Sequence, residues 1–240
     1  MKEVPKDECR LEKRIAFLPE IPVGYVYLFL YLIIIGVIFS NLNLYGSSSE
    51  VSFYFYYSCY VMVLVIPILT MKLFPEERKN KTDQILITAP ISITKMVMGK
   101  FFAAYTMFGI SLIPSVFAMG FLCVNGNVEM GILAGNYIAI LLAGAAYIAI
   151  AMLMSCVTES QIIAFMMGFF SLLIFALCDM LKSLINISFV NNLINVISIT
   201  SRFENLANGL FDPSAILYFL SLTVIFIFLT IRIIDKRRWS

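Results

Sequence analysis

The sequence predicts an all-α integral membrane protein, and its composition and apolar runs are the observations that predict it. Of its 240 residues, 61% are hydrophobic and only 13% are charged, and the mean hydropathy is +0.93. Soluble globular domains are about 45–50% apolar and about 25% charged. The 17 basic and 15 acidic residues are too few to cover a water-facing surface of this size. We therefore expect a single transmembrane domain over residues 1–240.

Six apolar runs are each long enough to cross a bilayer as a helix, which takes roughly 20 residues. The predicted spans are residues 23–42, 51–71, 101–124, 132–154, 161–178 and 215–234. The tail 1–22 precedes them, and its Leu11, Ile15 and Leu18 recur at the spacing of a short amphipathic helix that lies on a membrane surface. No small-residue cleavage site follows the first apolar run, so a retained signal anchor is expected.

The basic residues indicate the orientation. Five lie in residues 1–22, six in 72–100 and four from Arg232 onward, which leaves only Lys182 and Arg202 elsewhere. By the positive-inside rule, both termini and the 72–100 loop are cytoplasmic, and 179–214 faces outward.

Missing residues and motifs exclude several function classes. The chain has no histidine, so a His-dependent hydrolase or a HExxH zinc site is excluded. It has no Walker phosphate loop, its five cysteines show no CxxC spacing, and no predicted span carries a charge at its centre. An ion-coupled carrier is therefore disfavoured. We expect a chain that is not an enzyme, binds no cofactor or metal itself, has no nucleic-acid partner and depends on another subunit for any use of ATP.

The 72–100 loop has a pattern of its own. Thr82 is placed to cap a short helix that ends at Thr88, and Asp83 is favourable at the positive end of that helix. Pro90 ends the helix, because the residue before a proline avoids the helical conformation. The predicted helix is short and carries the apolar residues Ile85, Leu86 and Ile87. An exposed apolar face of this kind favours a protein contact, and an interfacial helix that only touches lipid headgroups is the alternative.

Two further predictions concern the flanks of the same loop. Pro75 is expected to end the preceding helix, because proline disrupts a helix interior. Ser92 is expected to cap a second helix that runs through Lys95 and Lys100 into the third span.

Other patterns are read as structural. Small residues recur every four positions on the fourth span, at Gly131, Gly135, Ala139 and Ala143, which permits close helix packing within or between subunits. The aromatic residues at the start of the second span favour an interfacial belt over a ligand cage: Tyr54, Phe55, Tyr56, Tyr57 and Tyr60. The segment 179–214 is too long for a simple loop and predicts short re-entrant or interfacial helices, with a substrate-sensing lid or a broken final span as alternatives.

Three stretches of the sequence resemble the membrane (permease) subunits of type-2 ABC exporters. The first contains a glutamate-arginine pair, a helix and a Pro-x-Ser turn: Glu76-Glu77-Arg78-Lys79, Thr82, Ile85-Leu86-Ile87-Thr88, Pro90-Ile91-Ser92 and Gly99-Lys100-Phe101. The second is Ser155 to Ala164, which is similar to the family's second cytoplasmic turn, and the third is Arg202 to Trp239, which is similar to its last outer segment and span. The sequence departs from the family where Lys81 precedes Thr82, since glycine is frequent there.

The resemblance implies a transport mechanism. The tail helix would be a connecting elbow, and Thr82 to Thr88 would be a coupling helix that docks on a cytosolic ABC ATPase subunit, which carries the ATP and Mg. Glu76, Glu77 and Arg78 would hold the coupling helix by polar interactions, and Thr158, Glu159 and Ser160 would form a second contact. Two such subunits, identical or related, would enclose the pathway in a bacterial plasma membrane. We expect the cargo to be amphipathic: a peptide, a drug-like molecule or a lipid-like molecule.

Two other function classes stay open at this stage. One is a membrane protein for assembly or immunity, which binds a peptide or lipid without transport. The other is a membrane enzyme that acts on lipid, although the lack of histidine and of clustered carboxylates disfavours it.

Overall fold

The computed structural model describes residues 22–45, 51–79, 92–125, 128–184, 199–207 and 213–238. About 94% of these residues are helical, and none of them lies in a strand. The helices are α1 (Pro22–Phe39), α2 (Val51–Thr70), α3 (Pro75–Lys79), α4 (Ile93–Asn125), α5 (Met130–Val157), α6 (Gln161–Leu184), α7 (Ile199–Ala207) and α8 (Pro213–Arg238). A π-helical segment, Ser40–Tyr45, continues α1. The prediction of an all-α protein is confirmed.

Five helical stretches are long and apolar enough to cross a membrane. They are Val23–Asn43, Val51–Lys79, Ile93–Val124, Met130–Val157 and Pro213–Lys236. The remaining predicted span, 161–178, lies in α6, where a shorter apolar stretch covers Gln161–Leu177. The described chain is thus compatible with a multi-pass membrane protein and contains five candidate spans, while the count of six stays a prediction.

Helix α5 occupies the centre of the bundle and contacts α2, α4, α6, α7 and α8. Its apolar stretch is 72% buried, the highest share among the five candidate spans. Small side chains permit this close packing, because they let neighbouring backbones approach. At Gly144 the approach is closest: a Cβ built there would lie 2.2 Å from Cε1 of Phe108 on α4. Only glycine fits between α4 and α5 at this point without a shift.

The outside of the bundle is apolar. Large side chains such as Phe29 on α1, Phe117 on α4, Ile162 on α6 and Leu217 on α8 are each more than half exposed. Soluble monomers rarely expose apolar patches larger than a few hundred Å². This surface is compatible with contact with lipid or with other membrane-embedded protein.

The start of α4 agrees with the predicted cap. The helix begins at Ile93, and Ser92 Oγ accepts a hydrogen bond from the backbone N–H of Lys95 at 3.4 Å. The helix then continues without a break through Lys100 to Asn125, so the prediction of a capped helix that leads into the third span is confirmed. Its 33 residues correspond to about 50 Å, more than the roughly 30 Å of a hydrocarbon core.

Two helix ends differ from the predicted positions. Helix α2 already ends at Thr70, and Pro75 begins α3 rather than ending α2. Proline is favourable there because the first residue of a helix has no intrahelical acceptor for its N–H. Helix α6 continues to Leu184, beyond the predicted boundary at Asp179. A charged residue can end an apolar run without ending a helix, and neither glycine nor proline follows Gly168 within α6.

Several predicted features lie outside the described residues. These are the tail 1–21, with its amphipathic helix, and residues 185–198 and 208–212 of the predicted outer segment. The predicted coupling helix lies outside them as well, with Thr82, Asp83, Ile85, Leu86, Ile87 and Thr88.

Candidate functional site

Five of the eleven described basic residues lie together at one end of the bundle. This end, called the basic end below, consists of the 71–74 turn, α3, the first turns of α4 and the turn 158–160 between α5 and α6. It carries Lys72, Arg78, Lys79, Lys95 and Lys100. The opposite end, called the α7 end, contains α7 and the starts of α5 and α8.

Lys100 is the most enclosed charge of the basic end, with only 5% of its side chain exposed. Its ammonium group donates hydrogen bonds to Glu77 Oε2 and to the backbone carbonyl of Leu73. It also lies 4.1 Å from the centre of the Phe74 ring, where a cation–π attraction operates. A buried ammonium is costly unless it is paired and hydrogen-bonded. The three partners meet this requirement and join α4 to the segment 73–77.

Arg78 connects α3 to α5. Its Nη1 donates to the backbone carbonyl of Val157 at 3.4 Å. Val157 is the last residue of α5, where carbonyls lack intrahelical donors and the helix dipole favours a cation. The contact therefore lies where an arginine is favourable, although its length makes it a weak hydrogen bond. We call Phe74, Glu77, Arg78, Lys100 and Val157 together the basic-end cluster.

The turn after Val157 is internally hydrogen-bonded. Thr158 Oγ1 accepts from the backbone N–H of Ser160 at 3.2 Å and donates to the carbonyl of Ser160 at 2.9 Å. The carbonyl of Ser160 also accepts from the N–H of Ala164 at 2.9 Å in the first turn of α6. The side chains of Glu159 and Ser160 are exposed. The turn thus presents polar groups on a fixed backbone.

A buried hydrogen bond ties the ends of α2 and α5 just inside the cluster. Ser155 Oγ donates to the carbonyl of Thr70 at 2.8 Å, and both residues are buried. Thr70 ends α2, and its carbonyl accepts a second hydrogen bond, from the backbone N–H of Leu73 at 3.1 Å. As a result α2, α3, α4 and α5 are connected to each other at the basic end.

The structure brings two groups of predicted coupling residues to the same end. Glu76, Glu77 and Arg78 lie on α3, and Arg78 contacts Val157, the residue before Thr158, Glu159 and Ser160. The coupling roles assigned to these residues stay predictions. The third predicted group, between Thr82 and Thr88, lies outside the described residues.

Lys100 was not among the predicted site residues. Its signal in the sequence is its place on the buried face of α4, three residues after Val97 and four before Ala104, both fully buried. A lysine on an apolar helix face needs a partner, because a buried charge is costly without one. The sequence does not reveal that the partner is Glu77, on another helix.

The small-residue stripe of α5 is divided between two environments. Ala139 and Ala143 are fully buried within the bundle, and Gly135 is buried as well. Gly131 is exposed, and a Cβ there would meet no atom within 4 Å. The buried part of the stripe therefore makes contacts within this chain.

The aromatic residues of α2 are also divided. Tyr54 packs edge-to-face against Phe39 on α1, and Phe55 packs against Tyr137 on α5. Tyr54 and Phe55 are buried, whereas Tyr57 is exposed. Tyr54 and Phe55 thus belong to the packed interior, and only part of the predicted aromatic belt faces outward.

At the α7 end, neutral side chains bind one carbonyl. Asn136 Nδ2 on α5 donates to the carbonyl of Ala207 at 2.8 Å, and Ser52 Oγ on α2 donates to the same oxygen at 3.3 Å. Ala207 is the last residue of α7, whose Ile199 and Phe203 are fully buried. Helix α7 is thus packed into the end of the bundle and fixed at its C-terminus.

The described residues were also compared with the requirements of a metal site. Among these residues, no three cysteine, aspartate or glutamate side chains are grouped closely enough to hold a metal. Comparison with known proteins adds no assignment, because no protein-family model and no curated protein matches the chain. What the basic end offers is a set of exposed polar groups on a firmly connected backbone.

Proposed function

We propose that this chain is the membrane subunit of an ATP-driven exporter of the type-2 ABC class. In this proposal it forms half of a translocation pathway and couples to a separate cytosolic ATPase subunit. The observation that carries the proposal is the basic-end cluster, which connects α3 and α4, the two helices that flank the predicted coupling helix, to the end of α5.

The cluster supports this function because a docking surface transmits movement only if its base is stiff. The ion pair between Glu77 and Lys100 and the bond from Arg78 to Val157 connect α3, before the 80–91 segment, to two long helices, α4 and α5. A lipid-facing connector would gain nothing from a nearly buried lysine. Exposed Lys79, Glu159 and Ser160 surround this base and are available to a partner protein.

The proposed orientation follows from the charges. The basic end faces the cytoplasm by the positive-inside rule, and the α7 end faces outward, in a bacterial plasma membrane. A second permease subunit, identical or related, completes the pathway. An amphipathic peptide, drug-like or lipid-like cargo suits its apolar walls better than a sugar or an ion.

Purification of the tagged full-length chain from its native membranes tests the proposal. We expect an ATPase with a Walker motif to co-elute and to be identified by mass spectrometry. Glu159 and Glu129 provide a matched pair, since both are exposed and lie at opposite ends of the bundle. Glu159→Lys should reduce the amount of co-eluting ATPase, and Glu129→Lys should not. Elution of the intact wild-type chain without any such ATPase would contradict the proposal.

A transport assay separates export from simple binding. Inside-out vesicles that contain the complex should accumulate a fluorescent amphipathic peptide or phospholipid only when ATP is present. ATPase binding without ATP-dependent movement of either probe would favour the immunity or assembly alternative.

A further inference from the structure

The ion pair of Glu77 and Lys100 closes the chain around the predicted coupling helix. The two residues are 23 positions apart, with Glu77 before the 80–91 segment and Lys100 after it. Whatever binds the intervening segment therefore acts on a chain whose two flanks are joined. In contrast to a surface pair, this pair is sheltered: Lys100 is 5% exposed and Glu77 is 28% exposed.

Three partners of the Lys100 ammonium group lie between residues 73 and 77. The carbonyl of Leu73, the ring of Phe74 and the carboxylate of Glu77 surround the ammonium group on the side of α3. Through the side chain of Lys100, α4 thus makes three interactions with α3 and the turn before it. A displacement of α3 acts directly on the part of α4 that carries Lys100.

Helix α4 can carry such a displacement to the α7 end. It is one continuous helix from Ile93 to Asn125. Along its length, Phe108 fits against Gly144 of α5, and Ser111 Oγ is 3.1 Å from the hydroxyl of Tyr27 on α1. A movement of its first turns therefore reaches neighbours in the middle of the bundle.

From this geometry we infer that Lys100 is the positioning residue that transmits movement of the docked coupling segment to α4. The inference rests on the proposed function, since it needs an ATPase that moves the segment. The pair with Glu77 is then a mechanical link: ATP hydrolysis rearranges the bundle only while the ammonium group keeps its partners on α3.

The test uses the complex with the co-purified ATPase, in a chain whose own cysteines are replaced by alanine. Spin labels at positions 117 and 217, which are exposed on α4 and α8, report the separation of these helices away from the basic end. The distance distribution is recorded without nucleotide and with ATP plus vanadate. The rate of ATP hydrolysis and the amount of bound ATPase are measured on the same samples.

Lys100→Met is expected to keep bound ATPase and ATP hydrolysis and to lose the nucleotide-dependent change in distance. The ratio of shifted to unshifted label populations should fall roughly tenfold, within the range of typical coupling energies. Lys100→Arg should preserve the change, because guanidinium can still donate to Glu77 and to Leu73 and lie on the Phe74 ring. Lys95→Met is the control, since Lys95 is exposed on the same helix.

The possible results distinguish failure of this inference from failure of the proposed function. A normal distance change in Lys100→Met, or its loss in Lys95→Met to the same degree, would overturn the inference and leave the proposed function standing. Absence of a co-purified ATPase from the wild-type chain would overturn both. If Lys100→Met does not fold, the double variant Glu77→Leu/Lys100→Met replaces it, because it removes the link without leaving either charge buried alone. A distance change of normal size in this double variant would likewise overturn the inference.

Discussion

At both ends of the bundle, side chains donate hydrogen bonds to backbone carbonyls, but the donors are charged at one end and neutral at the other. At each end, helices stop and leave backbone carbonyls without intrahelical donors. The basic end supplies charged donors, since Lys100 binds the carbonyl of Leu73, in the turn that follows α2, and Arg78 binds that of Val157. The α7 end supplies neutral donors, since Asn136 and Ser52 share the carbonyl of Ala207. This difference in charge predicts that substitutions at the two ends will lower the stability of the protein by different amounts.

Charge makes the basic end the more vulnerable of the two. Removing one partner of a buried ion pair leaves an uncompensated charge and costs about 3–5 kcal/mol. A neutral hydrogen bond contributes only about 0.5–1.5 kcal/mol net. The predictions below use this difference, and they are ordered by the size of the expected effect.

Glu77→Ala should have the largest effect. It leaves the nearly buried Lys100 without the carboxylate that pairs with it, and we expect the free energy of unfolding to fall by about 3 kcal/mol. This value is at the lower bound for a broken buried ion pair because Glu77 is 28% exposed. Unfolding in a titration with sodium dodecyl sulfate measures it. Glu76→Ala, on the same helix, is the control and should cost less than about 1 kcal/mol. Equal losses for the two variants would contradict the role given to the ion pair.

Gly144→Ala tests the middle of the bundle, which both ends share. The added methyl group would lie 2.2 Å from Cε1 of Phe108, so α4 and α5 must separate or the ring must move. We expect a loss of about 1–3 kcal/mol, measured by the same titration. Gly36→Ala is the matched control, because a Cβ at Gly36 meets no atom within 4 Å. Similar stability of Gly144→Ala and the wild type would show that the contact relaxes without cost.

The sequence predicts the helices and some of their ends, but not the partners of the buried polar groups. Ser92 was identifiable as a cap because capping is local, and the hydrogen bond to Lys95 bears it out. The role of Pro75 and the end of α6 were predicted wrongly, since proline and charge do not act alone at a helix boundary. The pairing of Lys100 with Glu77 and of Asn136 with Ala207 depends on how distant segments meet. Tyr54 and Phe55 were assigned to an interface because a count of aromatic residues does not give their direction around the helix.

Asn136→Ala should affect the α7 end alone. It removes the 2.8 Å bond to Ala207, and its cost is reduced because Asn136 Oδ1 is itself buried without a hydrogen-bond partner. We expect α7 to open more readily by about 1 kcal/mol, which corresponds to a roughly fivefold increase in the rate of hydrogen exchange of its amides. The amides of α3 should keep their wild-type rates. Faster exchange at both ends would show that the two ends are not independent.

Ser52→Ala should have the smallest effect by itself, about 0.5 kcal/mol, because its bond to Ala207 measures 3.3 Å. Its effect should grow in the Asn136→Ala background, since the carbonyl of Ala207 then loses both side-chain donors that the structure gives it. Hydrogen exchange of α7 in the two single variants and the double variant measures this coupling as a double-mutant cycle. Thr223→Ala is the control and should be additive with Asn136→Ala, because the Thr223 hydroxyl donates to the carbonyl of Phe219 within α8. Strict additivity of Ser52→Ala and Asn136→Ala would mean that the two donors do not compete for one oxygen, and the α7 end would then contain two separate contacts.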